Sequence, residues 1–188
     1  MNLPDPNRQR PDTNIPGQTP PKDMYAKRNV RGAGGLIIAK NTGRILFALR
    51  SAGPKRPEEW NLWGGKVSVD ESPEHSVIRW AKDQTGYRKN FYVIPIYSFL
   101  NAFTNFRYYN FLLVVDNEFI PIIDRKFIRD YQWMDMDNAP TPLNSLVKTL
   151  LDRTGHKIKD IIEKNSIKEG LSKGHMIKLK DLIKNIIY

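Results

Sequence analysis

The sequence lacks cysteine entirely, and its 188 residues contain no long apolar run. The absence of cysteine excludes a disulfide scaffold, a cysteine-ligated zinc site and a thiol nucleophile. No segment approaches the ~18 apolar residues that a membrane helix needs, so we predict no membrane span. The amino-terminal residues show no apolar signal region, which predicts a cytoplasmic protein.

Acidic residues are also in short supply, with 20 Asp and Glu against 30 Lys and Arg, and the net charge is +10. Residues 1–31 carry +3 and residues 154–188 carry +4, so the excess is concentrated at the two ends. Basic ends predict attraction to nucleic acid or to an acidic partner protein. A solvated lysine-rich surface is the alternative interpretation.

Composition divides the chain into three regions. Residues 1–27 are rich in proline and poor in large apolar residues, which predicts a disordered or extended arm that orders against a partner. Residues 28–153 carry the apolar patterns of one domain. Residues 154–188 predict a basic helical extension, whose apolar face binds a partner protein, lies on a membrane or packs back on the domain.

Local patterns predict a mixture of strands and helices in the central region. Two apolar runs, 36–39 and 44–50, flank an Asn-Thr-Gly turn and predict a β-hairpin. A helix is predicted over residues 72–85, where Ser72 caps the start and Gly86 ends it. Further strands are predicted at 91–100, 107–115 and 131–134, and a second helix at 143–153.

The most informative spacing joins four residues of the segment that follows the hairpin. Five residues separate Gly65 from Glu71, seven more separate Glu71 from Arg79, and Gly86 lies seven positions after Arg79. This spacing resembles the Nudix box, and the resemblance covers residues 32–153. Residues 110–142 are similar to Nudix proteins of bacteriophages. The resemblance implies an α/β fold, an α/β/α sandwich with a mixed sheet.

The family's box holds Mg²⁺ or Mn²⁺ against a diphosphate, and the resemblance assigns roles to the matching residues. Glu71 and Arg79 match an ion pair that pins the loop to the helix. Gly65 matches a glycine whose carbonyl binds metal, and Asp83 and Gln84 stand where the family has a Glu-Glu pair. The implied metal ligands are therefore Gly65, Asp83 and Gln84.

The box departs from the family pattern on the metal-binding face. Trp80 replaces the glutamate after the arginine, and Trp63 replaces the usual proline before the two glycines. Only Asp83 brings a carboxylate where the family has three, so a weak metal site is expected. Four acidic residues are possible substitute ligands: Asp70, Glu74, Glu118 and Asp124.

Three residues are candidate substrate contacts. Lys66 and Arg50 can bind phosphate oxygens, although surface solvation is an equal alternative. Trp80 can stack on a nucleobase, or it can fill the space of a lost metal site.

Two functions follow from the resemblance. One is a metal-dependent hydrolase of a nucleoside diphosphate linked to another moiety, weakened by the altered box, with Glu71, Arg79 and Asp83 as its catalytic residues. The other is a catalytically inactive module that serves as a structural, protein-binding or nucleic-acid-binding component. A nucleotide or nucleic acid is the expected ligand, and a phage origin predicts the host cytoplasm or the virion.

Overall fold

The structure is a computed structural model that describes residues 30–53, 58–101 and 105–168. The arm predicted over residues 1–27 lies outside the described residues. So do the last twenty residues of the predicted basic extension.

A seven-stranded mixed sheet forms the centre of the domain. Its strands are β1 (Arg31–Ala39), β2 (Ile45–Arg50), β3 (Trp60–Asn61), β4 (Trp63–Lys66), β5 (Tyr92–Asn101), β6 (Phe106–Val115) and β7 (Ile128–Met134). The strand order is β3-β2-β1-β6-β5, while β4 pairs with β1 and β7 pairs with β2. The β1–β6 pair is parallel and the other pairs are antiparallel.

Two helices cover the sheet, one on each face. Helix α1 (Pro73–Thr85) begins where the Ser72 hydroxyl accepts a hydrogen bond from the His75 amide. It ends at Gly86, whose φ of +68° favours glycine. Helix α2 (Ser145–Lys168) lies on the opposite face. The predicted α/β/α sandwich with a mixed sheet is therefore confirmed.

Each helix closes its own apolar core. Val77 and Ala81 of α1 pack with Ala33 and Ile37 in a cluster that also contains Trp63, which is fully buried. The core under α2 contains Leu36, Ile38, Ile45, Phe47, Leu112, Val147, Leu150 and Ile158. Alternate residues of β1 thus supply the two cores, as the pleat of a strand requires.

Strand β1, strand β7 and helix α2 extend beyond their predicted bounds, and β7 begins at Ile128 instead of residue 131. Strand β1 begins at Arg31 because its glycines lie between two neighbours, with Gly34 opposite Gly64 of β4 and Asn110 of β6. Helix α2 continues past Arg153 because Ile158 is fully buried and prolongs the apolar stripe. Neither α1 nor α2, the two α-helices in the described part of the chain, is long and apolar enough to cross a membrane.

Candidate active site and its altered box

Glu71 and Arg79 form a bidentate ion pair between the box loop and α1. The Arg79 Nε lies 2.9 Å from Glu71 Oε1, and its second nitrogen lies 2.8 Å from Oε2. The Glu71 side chain is only 18% exposed. The hydrogen bonds from Arg79 lower the pKa of Glu71 from 4.5 to about 2. The carboxylate is therefore ionised and fully engaged at neutral pH.

This pair predicts a defined pH dependence of stability. Since the pKa of Glu71 is lower in the folded state, its contribution is complete above pH 4.5 and is lost as the pH falls through about 2. Urea unfolding of wild type and Glu71→Gln should differ above pH 4.5, and the two should converge near pH 2. Glu74→Gln is the control, because Glu74 lies at an exposed position in the first turn of helix α1. A difference that persists unchanged at pH 2 would contradict the assignment.

Arg31 holds the same loop from the other side, and sequence reasoning missed it. Its guanidinium donates to the carbonyl oxygens of Ser68 and Val69, each at 3.0 Å, and to that of Glu71 at 3.4 Å. The only sequence feature that could have indicated this role is the position of Arg31 directly before the glycine-rich segment 32–35. The loop is therefore held by two arginines, Arg31 and Arg79.

Trp80 lies against the glycine that was predicted to bind metal. Its indole Nε1 donates to the Lys66 carbonyl at 2.9 Å, and a Cβ added at Gly65 would lie 2.5 Å from the ring. The Arg79 guanidinium lies 4.8 Å from the ring centroid. The ring is thus in contact with the loop and with Arg79, an arrangement that fits the space-filling alternative better than a stacking platform.

Gln84 is bound to the backbone of β4. Its Oε1 accepts from the Gly64 amide at 3.0 Å, and its Nε2 donates to the Gly64 carbonyl at 3.1 Å. The oxygen acceptor and the nitrogen donor of the Gln84 side chain are therefore both hydrogen-bonded to Gly64. Asp83, the neighbouring carboxylate, is 62% exposed and lies 3.9 Å from Arg79.

These contacts do not fit a divalent metal. Mg²⁺ needs oxygen ligands in near-octahedral geometry, carboxylates among them. Glu71 is engaged by Arg79, the Gln84 oxygen accepts from Gly64, and only Asp83 offers an exposed carboxylate. Across the described ranges, no group of three or more His, Cys, Asp or Glu side chains is close enough to hold a metal ion.

Two of the proposed substitute ligands are engaged elsewhere. Glu118 accepts from Thr42 at 2.6 Å and from Arg44 at 2.7 and 2.8 Å. Asp124 accepts from the Lys126 amide at 2.9 Å. The Glu118 and Asp124 carboxylates are therefore bonded to residues outside the box.

The predicted phosphate contacts lie on different strands. Lys66 is exposed at the end of β4, and its carbonyl receives the Trp80 bond. Arg50 ends β2 near Tyr108, whose ring rests on Gly32 and Gly34 of β1. Burial raises the pKa of Tyr108, and the positive charge of Arg50 opposes this rise.

A cavity of about 210 Å³ lies between β5, β6 and α2, and sequence reasoning missed it. Tyr97, Phe99 and Leu150 give it apolar walls, while Asn110 and Arg153 supply polar groups. Asn110 is 6% exposed and donates to the Tyr97 carbonyl at 3.3 Å. Arg153 donates to the Tyr97 hydroxyl at 3.2 Å. The one available signal was a polar asparagine within the apolar run of β6.

The NUDIX domain family model matches residues 28–153. The chain belongs to the Nudix family. Solved Nudix structures share its fold. The MutT Nudix hydrolase of Burkholderia pseudomallei aligns with a TM-score of 0.51 and 22% identity, over 65% of this chain and 95% of that one. The C. elegans Ap4A hydrolase aligns with a TM-score of 0.56 and 16% identity, over 69% and 98%.

A third Nudix hydrolase, from M. smegmatis, aligns with a TM-score of 0.55 and 16% identity, over 71% of this chain and 85% of that one. No curated protein matches the sequence. At identities this low, the alignments show a shared Nudix fold. They do not allow the substrate of one protein to be assigned to another.

Proposed function

We propose that this Nudix domain binds a nucleotide of the family's substrate class without hydrolysing it on a metal ion. The observation that carries the proposal is the direct hydrogen bonding of Trp80 and Gln84 to the Gly64–Lys66 backbone. These two neutral side chains stand at positions where the family has metal-facing carboxylates.

The exchange of carboxylates for neutral groups changes how the loop is held. Carboxylates one helical turn apart repel each other, and in a box of the family type a bound cation offsets that repulsion. Here the neutral side chains of Trp80 and Gln84 share three hydrogen bonds with β4, and Arg31 and Arg79 hold the loop. Strand, loop and helix are therefore connected by the protein's own side chains.

The cavity under α2 supplies a binding surface that suits a nucleotide. Its aromatic walls, Tyr97 and Phe99, can contact a planar ring, and Arg153 brings a positive charge. Its volume of about 210 Å³ is below the ~300 Å³ of ordinary ligand pockets, so one ring rather than a whole nucleotide fits inside.

A weakened hydrolase is the second candidate function. It is favoured by Asp83, whose carboxylate is 62% exposed and remains at a metal-ligand position of the box. Since Trp80 and Gln84, at the other metal-facing positions of α1, are neutral, the slow turnover expected of this candidate would depend on Asp83.

The full-length protein separates the two candidates when it is tested with ADP-ribose, NADH, dinucleoside polyphosphates and capped RNA. We expect saturable binding of at least one compound in EDTA, and no product on chromatography with Mg²⁺ or Mn²⁺. Arg153→Ala should weaken that binding about tenfold. Arg129→Ala removes an equal charge from β7 and should not weaken it. Turnover abolished by Asp83→Ala would instead support the hydrolase, and the absence of both binding and turnover would reject both candidates.

A further inference from the structure

A groove of about 330 Å³ lies beyond the carboxyl end of α1, between residues 85–89 and 116–122. Ile120 and Ile122 line it, and they are 83% and 77% exposed. We call this surface the isoleucine groove. Two large apolar side chains at such exposure, side by side on a concave surface, mark an interaction site.

The backbone holds both isoleucines outward. The Ile122 amide donates to the Thr85 carbonyl at 2.9 Å, and the Ile122 side chain packs over Gly86. Between and beside them, Phe119, Pro121 and Ile123 turn toward the domain. Residues 119–123 therefore present apolar side chains both to the domain and to the groove. This pattern is typical of an extended segment whose two faces are both covered.

The charges at the rim favour an apolar occupant. Arg88 and Lys89 line one side of the groove, and Asp116 and Glu118 line the other. Glu118 is already bonded to Arg44. A rim of both signs does not attract a phosphate polymer, which binds where positive charge predominates.

Helix α2 brings the chain to the same end of the sheet. Ile162 lies 3.3 Å from the position of a Cβ at Gly43, in the turn between β1 and β2. That turn is joined to the groove by Lys40, which lies 3.3 Å from Asp116, and by the Arg44–Glu118 pair. The described chain therefore ends six residues past a contact with this turn, which lies at the same end of the sheet as the groove.

The sequence of those residues offers a matching apolar face. Seven residues, 169–175, contain two glycines and can span up to ~23 Å when extended. The apolar residues that follow recur at helical spacing: Met176, Leu179, Leu182, Ile183, Ile186 and Ile187. We propose that residues 176–187 dock in cis, through this apolar stripe, into the isoleucine groove.

Hydrogen exchange on the full-length chain tests this docking. Amides of residues 176–187 should exchange at least about tenfold more slowly in wild type than in Ile120→Asp/Ile122→Asp. Val69→Asp is the matched control, because Val69 is 88% exposed and lies outside the groove. The exchange of α1 amides should be the same in all three proteins, which shows that the variants fold.

A second measurement uses the absence of cysteine. Ile122→Cys combined with Ile183→Cys should form a disulfide within one chain on mild oxidation, whereas Val69→Cys with Ile183→Cys should not. Fast exchange in wild type, or protection that survives the double aspartate change, would overturn the proposal. Protection that appears only at high protein concentration would also overturn it, since a second copy would then be the occupant.

Discussion

A double variant carrying Trp80→Glu and Gln84→Glu will bind Mn²⁺ at least about tenfold more tightly than the wild-type protein. The two changes put carboxylates beside Asp83 on one face of α1, one helical turn apart. They also remove the two hydrogen bonds that the Trp80 and Gln84 side chains donate to carbonyl oxygens of β4, while the Gly64 amide can still donate to a carboxylate at position 84. Isothermal titration of each protein with Mn²⁺ measures the gain.

Stability should become metal-dependent in the same variant. Loss of these two bonds costs about 1 kcal/mol each without metal, and Mn²⁺ at 100 times its Kd restores about 2.7 kcal/mol. Trp80→Gln removes the indole without adding charge, so it should lose stability and gain no affinity. A gain of affinity in Trp80→Gln, or equal affinity in wild type and double variant, would contradict our interpretation of the box.

Gly64→Ala will destabilise the domain by about 3 kcal/mol and lower its melting temperature by about 10 °C. A Cβ at this position would lie 2.1 Å from the Ala33 carbonyl oxygen and 2.7 Å from the Gly34 Cα. Both are backbone atoms of β1, so the clash can be relieved only by moving a central strand. Calorimetry of the full-length chain measures the shift.

Gly53→Ala is the matched control, because a Cβ there would meet no atom of the residues that the structure describes within 4 Å. It should change the melting temperature by less than about 2 °C. If Gly64→Ala has the same melting temperature as the wild type, then β4 does not lie as close to β1 as described. The position of the box loop would then be wrong as well.

The features that sequence predicted well are set by local chemistry. The start of α1 depends on Ser72 and its end on Gly86, and both work within one helical turn. The hairpin around residues 41–43 is similarly local. The pairing of Glu71 with Arg79 was implied by the resemblance to the Nudix box, and the structure shows it between the loop and helix α1.

The features that sequence did not predict depend on contacts between distant segments. Nothing in the pattern shows that the Gln84 amide binds Gly64, twenty residues earlier, or that the Trp80 ring covers Gly65. From the sequence alone, tryptophan at position 80 and glutamine at position 84 are compatible with a weak metal site or with no metal site. A helix over residues 143–153 and a separate helical extension from residue 154 were predicted, whereas burial of Ile158 under the sheet makes one continuous helix, α2.

Manganese binding by the wild-type protein tests the central claim most directly. Free Mn²⁺ is titrated against the full-length chain at pH 7 and measured by electron paramagnetic resonance. We predict that the free-ion signal stays undiminished up to about 1 mM protein, because loop and helix are joined by side-chain hydrogen bonds instead of a cation. One stoichiometric site at micromolar affinity, lost in Asp83→Ala, would contradict this account.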